Sequence, residues 1–113
     1  MDIEPTAEGH ILIIPKCHAA KLHNVPDEYL ADLLPVTKKL VKALNLDIDS
    51  PEGAGYNVLQ NNGRIAHQYV DHVHVHLIPK RTVQEGLEEG WPAQKADMDK
   101  LKKLAADLAS KLN

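Results

Sequence analysis

The sequence predicts an α+β fold, one antiparallel sheet of about three strands with two helices, and three observations predict it. The stretch His72-Val73-His74-Val75-His76-Leu77-Ile78 alternates imidazole and aliphatic side chains, the period-two signature of a strand with one buried face. A second short apolar run, Ile11 to Ile14, sits between Gly9 and Pro15 at strand length. Two longer segments carry leucines at spacings of three and four, which puts them on one side of a helix.

Taken in order, residues 1 to 9 read as the end of an element followed by a turn, with Pro5, Thr6 and Gly9 as breakers. Ile11 to Ile14 follows as a buried strand opened by His10, and Pro15 to His18 as a loop. A helix is expected from Pro26 or Asp27 to Leu44, with Leu30, Leu33, Leu34, Thr37, Leu40, Val41 and Leu44 forming its apolar stripe. Pro26 suits the first turn. Asp27 and Glu28 favour the positive end, and Lys38, Lys39 and Lys42 the other. Pro35 lacks an amide hydrogen, so it should kink this helix or split it. Residues 47 to 55 are rich in Asp, Ser, Pro and Gly and read as a surface loop. Tyr56 to Gln60 is the next strand, Asn61 to Ala66 a turn, and the histidine stretch completes an antiparallel meander. Beyond Pro79 comes charge and glycine, then a helix over Ala96 to Leu112 with Leu101, Leu104, Ala105, Leu108 and Leu112 on one stripe. For both helices the plain expectation is core packing.

A chain of 113 residues is one domain at most, here a core over 1–80 followed by a loop and helix over 81–113. Without phenylalanine the core must be Leu, Ile, Val and Ala. A net charge of −3 and a pI near 6.1 give no reason to invoke nucleic acid or an anionic membrane, each of which wants a basic face. No apolar run reaches the roughly 18 residues of a membrane span. Cys17 stands alone, so no internal disulfide is available. No signal peptide is expected. The default is a reducing compartment, the cytoplasm, with the nucleus as a second site.

The histidine stretch carries the chemistry. On a strand, His72, His74 and His76 share one face about 6.6 Å apart at a rise of roughly 3.3 Å per residue. A surface strand would carry Lys, Thr and Glu instead, and three charged imidazoles would repel one another. A metal site is the competing reading, since imidazole ligates zinc and copper. Three ligands from one straight strand strain a tetrahedral arrangement, so no metal and no cofactor is expected. A neutral imidazole is a good nucleophile toward phosphorus and its adduct leaves readily.

His-Val-His-Val-His-Leu-Ile resembles the His-φ-His-φ-His-φ-φ signature, φ being apolar, of the histidine triad (HIT) superfamily of nucleotide hydrolases and transferases. Gly9-His10-Ile11-Leu12-Ile13-Ile14-Pro15-Lys16 resembles its G-H-x-L-x-I-P-K segment, and Asn57 to Gly63 with His67-Gln68 resembles the stretch leading into the triad. The similarity runs from Asp2 to about Pro79 and is nearest to the HINT branch, whose members cleave adenosine phosphoramidates. The resemblance implies that His74 attacks the α-phosphate to give a nucleotidyl-histidine, and that His76 hands a proton to the leaving amine. It further implies that His72 orients its neighbour and that His10 is the fourth histidine, brought from the adjacent strand. Asp2 and Ile3 match the pair that meets ribose and base, Asn61 and Gln68 match phosphate contacts, and Val70 joins the nucleotide site. His67 and Tyr69 depart from the Gly and Ser of many members. Trp91-Pro92 is similar to a Trp-Pro near the family's C-terminus. The partners implied are a purine nucleotide, as AMP or an adenosine phosphoramidate, and a second copy of the chain in a homodimer, with Leu33 and Leu40 offering the contact stripe. Family members usually place a helix and two strands before the Asp-Ile pair, so the chain reads as amino-terminally shortened, with an open sheet edge.

Overall fold

The structure, a computed structural model, describes residues 1–48, 54–88 and 90–112. Three strands form one antiparallel sheet: β1 (Ile11–Ile13), β2 (Gly55–Leu59) and β3 (Val75–Lys80). The helices are α1 (Asp27–Ala43) and α2 (Met98–Leu112). Most of the loop expected over 47 to 55 lies outside the described residues.

β3 lies in the middle, in the order β1-β3-β2. The expected meander is therefore corrected: β1 does not join β2 but pairs with the far side of β3, aligning Leu12 with His76, while β2 aligns Leu59 with the same histidine. β3 takes the position in which both edges are paired, and Val75, Leu77, Ile78 and Pro79 are buried there. Its ladder begins at Val75, so His72 and His74 precede the strand rather than lying within it. The alternation persists all the same. Val73, Val75 and Leu77 are buried and the three histidines are partly exposed, because extended backbone keeps period two whether or not it is hydrogen-bonded.

α1 covers the aliphatic face. Leu33 and Val41 close over Ile13, Val75 and Leu77, with Leu30, Leu40 and Leu44 packed at the margin. Thr37 is buried on the same stripe, and its hydroxyl donates to the Leu33 carbonyl at 2.7 Å, which satisfies it without a partner from the sheet. The helix runs unbroken through Pro35. The carbonyl deprived of its donor belongs to Ala31, an exposed residue, where water can take the donor's place. Leu34 departs from the expected stripe and is 64% exposed. At the carboxyl end Asn45 adopts φ 57°, and the Leu46 amide returns to the Val41 carbonyl at 3.0 Å, a left-handed cap that stops the helix and drops Leu46 into the core.

α2 behaves otherwise. It packs on none of the other described elements, and Leu101, Leu104, Leu108 and Leu112 are all exposed. The expectation of core packing is corrected here: of the two helices among the described residues, only α1 covers the sheet. No helix among the described residues is long and apolar enough to cross a membrane.

Candidate active site

The face of the sheet away from α1 gathers the imidazoles. Residues opposite one another on antiparallel strands share a face, so Leu12, His76 and Leu59 project together. His10 lies just before β1, and His74 two residues ahead of His76. The rings of His74 and His76 meet edge to face with centroids 4.9 Å apart, and those of His10 and His76 are 5.2 Å apart. A span of 66 residues separates the last pair in sequence.

Hydrogen bonds assign a role to each ring nitrogen. His74 Nδ1 lies 2.7 Å from the carbonyl oxygen of His72. A carbonyl only accepts, so Nδ1 carries the proton and Nε2 keeps its lone pair. His72 thus orients His74 through its backbone, while its own ring turns away, Nε2 to the Pro15 carbonyl at 3.4 Å and its edge against His18 at 5.4 Å. His10 is buried, with Nε2 at 2.9 Å from His76 Nδ1 and 3.5 Å from Asp2 Oδ2. Burial, then the nearby His74 and His10, hold the His76 imidazolium below its ordinary range, with Asp2 opposing. A histidine so lowered is mainly neutral at pH 7.

Beside the triad lies a cavity of about 360 Å³ lined by Leu12, Ile14, Val70, His72 and His74. Its size and its apolar walls suit a nucleobase with ribose. Leu12 and Ile14 line this cavity, whereas the sequence reading took them only as core, although they stand two and four positions after His10 and so share its face. Val70 lines the cavity. Ile3 does not: it is 96% exposed and absent from the wall. Asn61 donates to the His67 carbonyl at 3.4 Å. Gln68 is buried and holds its own loop, accepting from the Gly63 amide at 2.8 Å and donating to the Ala20 carbonyl at 2.6 Å. Asp2 sits against His10, its other carboxylate oxygen accepting from the Glu4 amide at 2.8 Å. His67, at φ 67°, pairs with the Tyr69 hydroxyl at 3.1 Å on the exposed rim.

Asp2, His10 and His76 form the one cluster of metal-capable donors found among the described residues, their atoms within 4.8 Å of one another. A cation there would have to open the 2.9 Å contact between His10 and His76. The arrangement is better matched to sharing a proton.

A family model described as the HIT domain matches residues 1–83. The chain belongs to the HIT family. Within it, the chain is 65% identical over 99% of its length to the adenosine 5'-monophosphoramidase of Candida albicans, of which it spans 74%, and 62% identical to that of Saccharomyces cerevisiae, of which it spans 66%. Among solved HIT structures, that of the histidine triad nucleotide-binding protein from Candida albicans superposes with a TM-score of 0.92 at 65% identity, covering 99% of this chain and 79% of that one. The α+β arrangement of this HIT chain is the one that its solved relatives share.

Proposed function

We propose that this HIT protein is an adenosine 5'-monophosphoramidase working through a nucleotidyl-histidine at His74. The observation that carries the reading is the His72 carbonyl on His74 Nδ1, which leaves a nucleophilic lone pair on Nε2 beside a cavity of nucleoside size. The names of the yeast relatives support the substrate. In the first step His74 Nε2 bonds to the α-phosphorus as the P–N bond breaks, and His76 delivers a proton to the departing nitrogen. In the second, water attacks phosphorus and His76 takes its proton, releasing AMP and free His74. A basic amine leaves only once protonated, which suits the reading to phosphoramidates.

The test is mass spectrometry of the protein after brief mixing with an AMP phosphoramidate. An AMP adduct on His74 is expected, with turnover lost in His74→Ala and nucleotide binding nearly kept. An adduct on His72 or His76, or a fully active His74→Ala, overturns the reading. The metal-capable cluster supports a second reading, a metal-binding or interaction module. Prolonged EDTA treatment separates them: the phosphoramidase keeps its rate, because imidazoles carry the charge, whereas a rate that falls and returns with zinc favours the metal.

The active unit is a homodimer in this reading. Leu33 turns inward and Leu40 is packed at the core margin, so the contact stripe expected of them is corrected. Exposed Leu22, Leu34 and Val58 instead flank a groove of about 320 Å³ next to the outer edge of β2, which no described strand pairs. Such an edge invites a partner strand. Sedimentation at tens of micromolar, about the range that separates a stable interface from none, should give a dimer; a monomer there removes this part of the proposal.

A further inference from the structure

His10 presents a problem of proton placement. Its Nδ1 accepts from the Thr6 amide at 3.3 Å, while its Nε2 faces two acceptors, His76 Nδ1 and Asp2 Oδ2. In the resting site, then, His10 carries its proton on Nε2, and His76, which accepts at Nδ1, carries its own on Nε2. That state cannot persist when His76 becomes the acid. An imidazolium has N–H on both nitrogens, so His76 Nδ1–H would meet His10 Nε2–H head on.

The conflict resolves only if His10 moves its proton to Nδ1. There the Thr6 amide would oppose it, but the Thr6 hydroxyl oxygen lies 3.5 Å from the same nitrogen and can accept. Thr6 offers His10 a donor and an acceptor at one ring atom. Its main chain is held for this: the Gly86 amide donates to the Thr6 carbonyl at 3.0 Å. Gly86 itself is at φ 77°, where a Cβ would lie 2.8 Å from the Pro79 carbonyl, so glycine is required to bring that amide in.

We propose that Thr6 is a positioning residue for the reaction, whose amide stabilises the resting tautomer of His10 and whose hydroxyl stabilises the opposite tautomer that a doubly protonated His76 needs. This rests on His76 as the acid of the proposed phosphoramidase. When the pair takes up one proton, the His10 Nε2–H bond breaks as His76 Nδ1–H forms, and the incoming proton occupies His10 Nδ1, bonded to Thr6 Oγ1. His76 Nε2–H then passes to the leaving nitrogen as P–N breaks. In hydrolysis the same Nε2 takes a proton from water as the new P–O bond forms, which restores the protonated pair; release of that proton to solvent returns the resting tautomers. The titratable groups facing His76 are His74, His10 and Asp2, and none of them replaces the hydroxyl at His10 Nδ1.

The test compares wild type, Thr6→Val and Thr6→Ser. Thr6 is exposed, and valine keeps its shape and its amide while removing the hydroxyl. Ring-nitrogen NMR of His76, titrated in the intact protein, should show its midpoint lowered in Thr6→Val and restored in Thr6→Ser. For one hydrogen bond the expected loss of kcat is roughly three- to tenfold, with KM for the AMP phosphoramidate unchanged. If the His76 midpoint is the same in Thr6→Val as in wild type, the proposal is overturned whatever the activity. A lowered midpoint in a protein without phosphoramidase activity supports the role of Thr6 and overturns the functional reading instead.

Discussion

α1 and α2 are written in the same code and live differently. Each has leucines at helical spacing, at least one acidic residue in its first turn and a lysine in its last. α1 lays Leu33 and Val41 on the sheet; α2 lays its leucines on nothing among the described residues. The contrast teaches that an amphipathic stripe states a demand for an apolar partner and is silent about where that partner is. α1 meets its demand because β1 and β3 present Ile13, Val75 and Leu77 beside it. α2 stands clear of the described strands.

The contrast can be broken by substitution. Leu33→Ala should cost roughly 2 to 5 kcal/mol, the range for a leucine removed from a packed core, read as a fall in the denaturant midpoint. Leu104→Ala should change stability by less than about 0.5 kcal/mol, as surface substitutions do, since leucine and alanine are both good helix formers. A loss above 1 kcal/mol, roughly twice that surface limit, would mean that the α2 stripe is covered in solution.

A smaller effect sharpens the difference through pH. His76 holds its proton less tightly in the folded chain than the ordinary 6.5, so the unfolded chain binds more protons just below that value. Stability from this group is complete above pH 6.5 and declines as pH falls from 6.5 through the lowered folded value. The thermal midpoint of the sheet and α1 should drop over that window, while the helical signal of α2, which contains no histidine, should not follow it. An unchanged midpoint between pH 7.5 and 5.5, a window chosen to bracket roughly the ordinary histidine value, would contradict the neutral, partly buried His76.

Within the sheet the same division between local pattern and distant partner decides what the sequence could reveal. That Val73, Val75 and Leu77 are buried behind a row of histidines was legible, because period two is a property of extended backbone and needs no neighbour. α1 was legible from Pro26 to Leu44, and so was the shared face of His72, His74 and His76, whereas the contact of the His72 carbonyl with His74 Nδ1 was not. The position of β3 in the middle of the sheet was not legible, nor was the start of its ladder at Val75, because pairing depends on which edge β1 reaches after the chain has folded back. Likewise Gln68 and Ile3 matched binding positions by motif, yet one closes a loop on Ala20 and the other projects into solvent. The sequence by itself determined the elements, the faces and the imidazoles, since these follow from local geometry and periodicity. Only the tertiary structure decided that Asp2, Thr6, His10 and His76 meet, because a hydrogen bond between residues 66 apart exists only once β1 has docked against β3.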